Sequence, residues 1–299
     1  MKKDNVPIIF IHKTNLKGNL YFLKYTLDIA SKTNKNKNLY FLGDELNKKY
    51  PISNGWTFYN IDNFSNSKEI ETFEKVYKYI GSPKHGREEW VKFVFKRWFI
   101  INNFIKEKKI EKFWTFDSDN LILTDLSLQE YKFKDYDCTE QCNGMCMNGF
   151  INNSNVVDRY VNKINELFLR EEYLNQVIKE IGNNPWAFTE MKAYLTFKEE
   201  EKIKSILLST IIDNETFDEC LCQEHDMETI NNNQFINKIF DIFRMSKFHR
   251  QIKKLYFKDG QIFEKNLKTN SFIKVNTINM SWLSLGHYRK IYNYIIKNL

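Results

Sequence analysis

Two aspartates that follow an apolar, β-favouring run are the residues of this sequence best suited to chemistry. The segment Lys112–Leu123 reads KFWTFDSDNLIL, and its β-favouring residues end abruptly at Asp117-Ser118-Asp119. In an open α/β sheet, ligands bind beyond the carboxyl ends of the strands. Two carboxylates spaced i and i+2 at such a turn can hold one divalent cation against a phosphorylated ligand. The pattern therefore predicts a metal and phosphate site at Asp117 and Asp119.

Two other interpretations of this DxD pattern stay open. Aspartates commonly close strands, so both acids can be ordinary turn residues. Phosphatases of the haloacid dehalogenase type also have a strand that ends in DxD, but there Gly-Thr follows and the pattern lies on the first strand. Here Asn120-Leu121 follows, and a long α/β segment precedes. The apolar run directly before the acids favours a binding site.

Two further charged residues interrupt apolar surroundings. Arg97 lies within Glu88–Lys106, a predicted amphipathic helix that runs directly into the strand before the acids. It either neutralises a local pair of acids or aims its guanidinium group at a phosphate or a sugar. Glu190 lies in the predicted helix Trp186–Phe197. It is either a surface acid or a half-buried one with a raised pKa or with contacts to sugar hydroxyls.

The N-terminal half alternates apolar strands with amphipathic helices. Pro7–His12, Gly18–Lys32 and Asn38–Gly43 read as strand, helix and strand, which predicts a parallel pair with a right-handed crossover. Trp56–Ile61 and Ser67–Tyr79 continue as strand and helix. The sequence contains neither GxGxxG nor GxxxxGK[ST], which argues against a dinucleotide-binding fold, a phosphate-loop NTPase and a nucleotidyltransferase.

The C-terminal half ends in a predicted hairpin and helix. Asp259-Gly260 separates the apolar runs Leu255–Phe257 and Gln261–Phe263, which is the strongest hairpin signal in the chain. Asn214–Glu228 is acidic and predicts a loop. We therefore predict an α/β fold with a single open, mixed and mainly parallel sheet flanked by helices, a C-terminal β-hairpin and a final helix. No linker or repeat divides the chain, so one domain is expected over residues 1–299.

Composition and charge limit the partners only in part. The 45 basic and 38 acidic residues give a net charge of +7, spread along the chain without an arginine-rich arm. A nucleotide or an anionic membrane surface could use this charge. No nucleic-acid recognition motif or concentrated basic face is present, so no nucleic-acid partner is expected. Asn233–Lys254 carries basic residues at its end, among them Lys247, His249 and Arg250, and predicts a helix with a solvated or a membrane-facing side.

The cysteines and the apolar runs predict a cytoplasmic protein, with the inner face of the membrane as a further expected location. The apolar segment near the start of the chain is too short for a secretory signal, and no apolar run reaches the membrane-spanning length of about 18 residues or more. The five cysteines are an odd number, which fits a reduced protein. Their spacing matches no zinc ribbon or finger, which favours structural roles.

The sequence resembles the nucleotide-sugar-dependent glycosyltransferases of the A-type, Rossmann-like fold, particularly bacterial enzymes that build surface polysaccharide. The resemblance covers most of the chain, and DSD behind an aromatic strand is its most specific part. The other matching segments are KRWFII at Lys96–Ile101, FTEM at Phe188–Met191, TFDE at Thr216–Glu219, YFKDGQIF at Tyr256–Phe263 and G-x-x-[RK]-K at Gly286–Lys290.

The resemblance implies a role for each donor-side residue. Asp117 and Asp119 would hold Mn²⁺ or Mg²⁺, which bridges the diphosphate of a nucleoside-diphosphate sugar, expected to be UDP-linked. Asp117 would lie nearest the ribose and the transferred sugar, as a catalytic residue, and Ser118 would lie between the two metal ligands. The other donor-binding residues implied are Arg97, Arg289 and Lys290. Residues 1–124 would form the nucleotide-sugar-binding half, and residues 125–299 the acceptor-side half.

Two roles are implied less directly. Glu190 lies where related enzymes carry an acid facing the acceptor or the donor sugar, and it would serve an inverting enzyme as the general base. A retaining enzyme would need no such base. The family often takes a third metal ligand from H-x-x-G-x-x-K, but here Leu283 stands at the histidine position and His287 follows the glycine. The third ligand would then be His287, Asn279 or water.

These expectations describe a metal-dependent, hexosyltransferase-like enzyme. It would move a sugar from a nucleoside-diphosphate donor to a carbohydrate or lipid-linked acceptor in surface polysaccharide synthesis. The alternative is a non-catalytic nucleotide- or sugar-binding protein that keeps the fold.

Overall fold

The computed structural model describes most of the chain, namely residues 6–14, 20–82, 87–182, 186–223, 225–236, 251–281 and 283–299. Its strands are β1 (Ile8–Ile11), β2 (Leu39–Gly43), β3 (Thr57–Asn60), β4 (Phe113–Phe116), β5 (Asn120–Ile122), β6 (Cys138–Gln141), β7 (Cys146–Ile151), β8 (Ser205–Leu207), β9 (Glu215–Asp218), β10 (Thr229–Asn231), β11 (Gln251–Lys253), β12 (Leu255–Lys258), β13 (Gln261–Asn266) and β14 (Ser271–Asn279). Its α-helices are α1 (Phe22–Thr33), α2 (Lys49–Ser53), α3 (Lys68–Val76), α4 (Glu88–Lys108), α5 (Asn155–Leu169), α6 (Glu171–Ile181), α7 (Glu190–Glu200), α8 (Asn232–Ile236) and α9 (Leu285–Asn298).

The main sheet has seven strands in the order β3-β2-β1-β4-β7-β6-β8. β1 pairs in parallel with β2 and β4, and β6 pairs in parallel with β8. β7 is antiparallel to both of its neighbours. The sheet is therefore mixed and mainly parallel, as predicted, and helices flank it.

The central strands are apolar because both faces of the sheet are covered. Every residue of β1 and β4 is buried. Ile9 and Phe113 pack into a core with helices α3, α4, α5 and α7, whereas Phe10 and Trp114 pack on the other face. Parallel strands covered on both faces read as continuous apolar runs. This explains why β4 stands out in the sequence directly before the aspartates.

A second sheet carries the C-terminal strands back to those aspartates. Its order is β12-β13-β14-β5, and β9 also pairs with β14. The predicted hairpin is confirmed, because β12 and β13 pair across Asp259-Gly260. β14 then runs antiparallel to β5 with Asn279 opposite Asn120, so the end of β14 lies beside the DSD turn.

Two sequence predictions in the C-terminal half are wrong. The predicted loop Asn214–Glu228 contains β9, whose Phe217 is buried and stacks on Trp114 at 5.7 Å. The predicted helix Asn233–Lys254 has a strand, β11, at its end. Lys247, His249 and Arg250 lie outside the described residues. No helix among the described residues is long and apolar enough to cross a membrane.

Two buried acids flank one buried lysine between β9, β11 and β13. Lys253 forms an ion pair with Asp218, and their side chains are 3% and 0% exposed. Both carboxylate oxygens of Glu264 are buried without a hydrogen-bond partner among the described residues. Burial raises the pKa of Glu264 to about 8, although Lys253 opposes the shift. A single lysine does not neutralise both acids, so Glu264 keeps its proton near neutral pH.

Glu264→Gln is expected to remove a pH-dependent loss of stability. Between pH 4.5 and about 8 the unfolded chain has lost this proton and the folded chain retains it, so the free energy of unfolding falls as pH rises. Between these pH values the free energy of unfolding of the variant should therefore rise relative to that of the parent by a few kcal/mol, at roughly 1.4 kcal/mol per pKa unit. Urea unfolding at pH 5 and pH 8 measures this. The control Glu107→Gln alters a carboxylate that is 57% exposed and should leave the pH dependence unchanged.

Candidate active site

The carboxyl ends of the central parallel strands bring together residues that are far apart in the sequence. His12 follows β1, Asp44 follows β2, and the DSD turn follows β4. The first residue of α7, Glu190, joins them through Arg97 of α4. Within the described residues, a small cavity at this edge is lined by Arg97 and Asp117, together with Trp98 and Thr115. The prediction that the acids lie at this edge of the sheet is confirmed.

Arg97 bridges the first aspartate and the glutamate. Its two terminal nitrogens lie 2.6 Å from Asp117 Oδ1 and 3.1 Å from Glu190 Oε1. Burial opposes the charge of Arg97, but the two acids outweigh burial and raise its pKa above the ordinary value. The sequence left two roles open for Arg97, and the structure shows the neutralisation of a local acid pair. In this arrangement the same guanidinium group lies at the predicted phosphate site.

Glu190 is buried rather than a surface acid. Its residue exposure is 6%, and Oε2 has no hydrogen-bond partner among the described residues. Burial raises its pKa, while Arg97 opposes the shift. The backbone carbonyl of Glu190 accepts a hydrogen bond from the Tyr160 hydroxyl at 2.6 Å, which fixes the start of α7. An acid with a raised pKa and one unused oxygen is equipped to take a proton.

Asp117 and Asp119 differ in their surroundings. The Asp117 side chain is 41% exposed, and beyond its contact with Arg97 it has no hydrogen-bond partner among the described residues. Asp119 accepts a hydrogen bond from Ser281 Oγ at 2.9 Å, just beyond the end of β14. Burial and the nearby Asp117 raise the pKa of Asp119 to about 6. The second sheet thus supplies a partner for Asp119 that the local sequence does not reveal.

His12 is a site residue that sequence reasoning missed. Its Nδ1 lies 2.8 Å from the Oγ of Ser118, the residue between the two aspartates. Burial lowers the pKa of His12 to about 4, although Asp44 and Asp117 oppose the shift. Its position in the sequence could have indicated it, because His12 directly follows the first buried strand just as Asp117 directly follows β4.

Three predicted donor or metal residues lie on α9 and pack against α1 and α8. His287 is 1% exposed, and its ring nitrogens contact Ser284 and Asn232. Arg289 Nε donates to the Tyr25 hydroxyl at 3.4 Å. The ammonium group of Lys290 donates to the backbone carbonyl of Phe235. The structure brings Asp117, Asp119, Arg97 and Glu190 together without these three, so their roles stay predictions.

The two carboxylates fit a hard divalent cation, and the described residues supply no third His, Cys, Asp or Glu ligand beside them. Carboxylate oxygens suit Mg²⁺ and Mn²⁺. Among the described residues, no group of three His, Cys, Asp or Glu side chains could hold a metal ion. Asn279 lies nearby, but its Oδ1 accepts a hydrogen bond from the Ser281 backbone at 2.9 Å. A cation held by Asp117 and Asp119 would therefore take its remaining ligands from water, from an amide oxygen or from a bound diphosphate.

A larger cavity of about 270 Å³ lies at the opposite edge of the sheet, beside the end of α4 and the start of α5. Two acids line it, Glu111 and Asp158. Asp158 is already paired with Lys106 and accepts a hydrogen bond from Asn102 at 3.0 Å. We place the candidate site at the DSD turn despite the smaller cavity there, because the turn lies at the carboxyl ends of the parallel strands, where open α/β sheets bind ligands.

Comparisons with known proteins show a partial likeness in fold. A scan of protein-family models finds no match, and a search of curated proteins finds none. Among solved structures, the chain is similar to mouse xyloside xylosyltransferase 1 in its apo form, at 10% identity and a TM-score of 0.47, covering 68% of this chain and 85% of that one. It is also similar to the PaToxG glycosyltransferase, at 13% identity and a TM-score of 0.37, covering 65% of this chain and 68% of that one.

Proposed function

We propose that this protein is a metal-dependent glycosyltransferase that uses a nucleoside-diphosphate sugar. The observation that supports the proposal is the convergence of Asp117, Asp119, Arg97 and Glu190 at the carboxyl edge of the main sheet. This edge is where open α/β sheets bind ligands. Two carboxylates for a cation, a guanidinium group and a buried acid together match the needs of sugar transfer from a diphosphate.

Each residue would have a separate task in the reaction. Negative charge grows on the leaving diphosphate as the glycosidic bond breaks, and a bound divalent cation would stabilise it. Asp117 and Asp119 would hold that cation. Arg97 orients Asp117 and Glu190 and adds positive charge beside them. Glu190 would accept the proton of the acceptor hydroxyl in an inverting reaction, because its pKa is raised by burial.

The donor and acceptor follow from the sequence resemblance and are part of this proposal. We expect a UDP-linked sugar as the donor and a carbohydrate or glycolipid as the acceptor, in surface polysaccharide synthesis at the cytoplasmic face of the membrane. A panel of nucleotide sugars, tested by thermal shift with Mn²⁺, identifies the donor because a bound ligand raises the unfolding temperature. Stabilisation by another nucleotide sugar, and not by UDP-sugars, would contradict the uridine assignment.

Calorimetry with UDP, in the presence and absence of Mn²⁺, tests the core of the proposal. We expect UDP to bind only with the metal, and UDP-sugars to be hydrolysed slowly without an acceptor. Metal-dependent binding without any hydrolysis or transfer would favour the alternative of a non-catalytic binding protein. If neither UDP nor any UDP-sugar binds with Mn²⁺ present, the assignment is wrong.

Metal affinity is expected to fall below about pH 6. Burial and Asp117 raise the pKa of Asp119 to about 6, so the cation must displace a proton from Asp119 at lower pH. Mn²⁺ affinity should drop by about tenfold per pH unit there and level off above pH 7. Calorimetry in two buffers should show a proton released on Mn²⁺ binding at pH 5 and almost none at pH 7.5. Equal proton release at both values would contradict a role for Asp119 as a ligand.

A further inference from the structure

The histidine that ends β1 and the serine between the two aspartates lie at the same level of the sheet. β1 and β4 are neighbouring parallel strands, and Phe10 is paired with Phe116. The residues two positions further along each strand are His12 and Ser118. Their 2.8 Å contact therefore continues the strand register beyond the last paired residues. The register of β1 and β4 therefore places His12 opposite Ser118 of the DSD turn.

The direction of the His12 ring is fixed by its backbone and its neighbours. The His12 amide donates to the Leu42 carbonyl at 2.9 Å, and the Asn47 side-chain amide donates to the His12 carbonyl at 2.9 Å. Asn47 is fully buried. The rings of His12 and Phe22 form a T-shaped pair with centroids 5.8 Å apart. The two backbone contacts fix the position of His12, and the Phe22 ring limits the directions in which the imidazole can point toward Ser118.

The hydrogen-bond pattern assigns the ring proton to Nδ1. The other ring nitrogen, Nε2, is buried and has no hydrogen-bond partner among the described residues. Buried N–H groups without an acceptor are rarer than acceptors without a donor, and each costs about 1–3 kcal/mol. The tautomer with Nδ1–H is therefore preferred, and it donates to Ser118 Oγ. A hydroxyl oxygen that accepts this bond keeps its own proton for a second partner.

We propose that His12 is a positioning residue of the candidate site, which directs the Ser118 hydroxyl proton toward a phosphate oxygen of the bound nucleoside diphosphate. Ser118 lies between Asp117 and Asp119, so its hydroxyl would act beside the cation that they hold. The identity of the ligand rests on the proposed function. The contact between His12 and Ser118 and the tautomer of the His12 ring do not depend on the proposed function.

Nitrogen NMR of histidine-labelled protein tests the contact without any ligand. The chain has five histidines, and His12→Gln identifies the resonances of His12. We expect a neutral ring protonated on Nδ1, and we expect Ser118→Ala to change the Nδ1 shift. A ring protonated on Nε2, or resonances that Ser118→Ala leaves unchanged, would overturn the proposal.

Calorimetry with UDP and Mn²⁺ tests the consequence for binding. Ser118→Ala and His12→Leu should each weaken the binding of UDP by about tenfold, as expected for one lost hydrogen bond to a charged group. His12→Asn should restore binding because its amide nitrogen can occupy the place of Nδ1, whereas the longer His12→Gln side chain places its amide near Nε2. The double variant His12→Leu/Ser118→Ala should bind no more weakly than Ser118→Ala.

The outcomes separate this proposal from the function on which it rests. Equal losses in His12→Asn and His12→Gln, or additive losses in the double variant, would overturn the positioning role. If the parent protein fails to bind UDP with Mn²⁺, the proposed function and the phosphate partner of Ser118 both fall. The NMR experiment would still decide whether His12 donates to Ser118. Thermal unfolding of each variant confirms that the compared proteins are folded.

Discussion

Asp117→Asn and Asp119→Asn should each lower sugar transfer by about two to three orders of magnitude, the usual effect of removing one preorganised electrostatic contact to a transition state. The amide keeps the size of the side chain but lacks the charge that holds a divalent cation. Asp119→Asn also keeps the contact with Ser281, which an amide can accept. Both proteins should therefore stay folded. The measurement is the rate of UDP release from the donor, with and without acceptor.

The matched control for these variants is Asp135→Asn, which alters an exposed aspartate outside the candidate site. Its rate should equal that of the parent protein, and circular dichroism should be the same for all three variants. Full activity in both Asp117→Asn and Asp119→Asn would exclude metal-dependent transfer at the DSD turn. A loss of activity that accompanies unfolding would instead point to a structural role for the turn.

The part of this site that could be predicted from sequence is the part made by one continuous segment. β4 is buried on both faces, so its residues are β-favouring and mostly apolar up to Phe116, directly before Asp117. Arg97 stood out for the related reason that it interrupts an apolar helix. The predicted hairpin at Asp259-Gly260 depended on a turn of two residues, and the structure has both with positive φ. Local signals of this kind need no knowledge of the tertiary fold.

The contacts that join distant segments could not be predicted. Ser281 reaches Asp119 only because β14 pairs with β5, and no local pattern indicates that pairing. β9 was mistaken for a loop because acidic residues and cysteines surround its few apolar positions. The link from Arg97 to Glu190 depends on how α4 and α7 each pack against α5. Such contacts depend on the packing of elements far apart in the sequence.

The bridge formed by Arg97 also explains how the folded protein tolerates the buried carboxylate of Glu190. Glu190 is almost fully buried, and a buried carboxylate is tolerated only when a cation or a proton neutralises it. Arg97 supplies that cation and simultaneously contacts Asp117, the more exposed of its two acids. Removal of the guanidinium group therefore affects both the fold and the chemistry.

Arg97→Met should lower the free energy of unfolding by about 3–5 kcal/mol at pH 8, because it leaves the Glu190 carboxylate buried without its partner. The double variant Arg97→Met/Glu190→Gln should recover most of this loss, since removing both members of a buried pair is often nearly neutral. Both variants should still lose transfer activity. The control Arg159→Met breaks an ion pair with Glu201 whose side chains are 39% and 32% exposed, and should cost less than about 1 kcal/mol.

Urea unfolding at two pH values distinguishes the buried charge from a simple loss of packing. Without Arg97 the pKa of the buried Glu190 carboxyl rises further above its ordinary value of 4.5, so the folded variant takes up a proton at a higher pH than the unfolded chain does. The protonated side chain needs no cation, so the deficit relative to the parent should shrink as pH falls from 8 to 5. A cavity left by the shorter side chain would give the same deficit at both pH values. A deficit that does not depend on pH, and that Glu190→Gln fails to relieve, would show that Arg97 does not neutralise Glu190 in the folded protein.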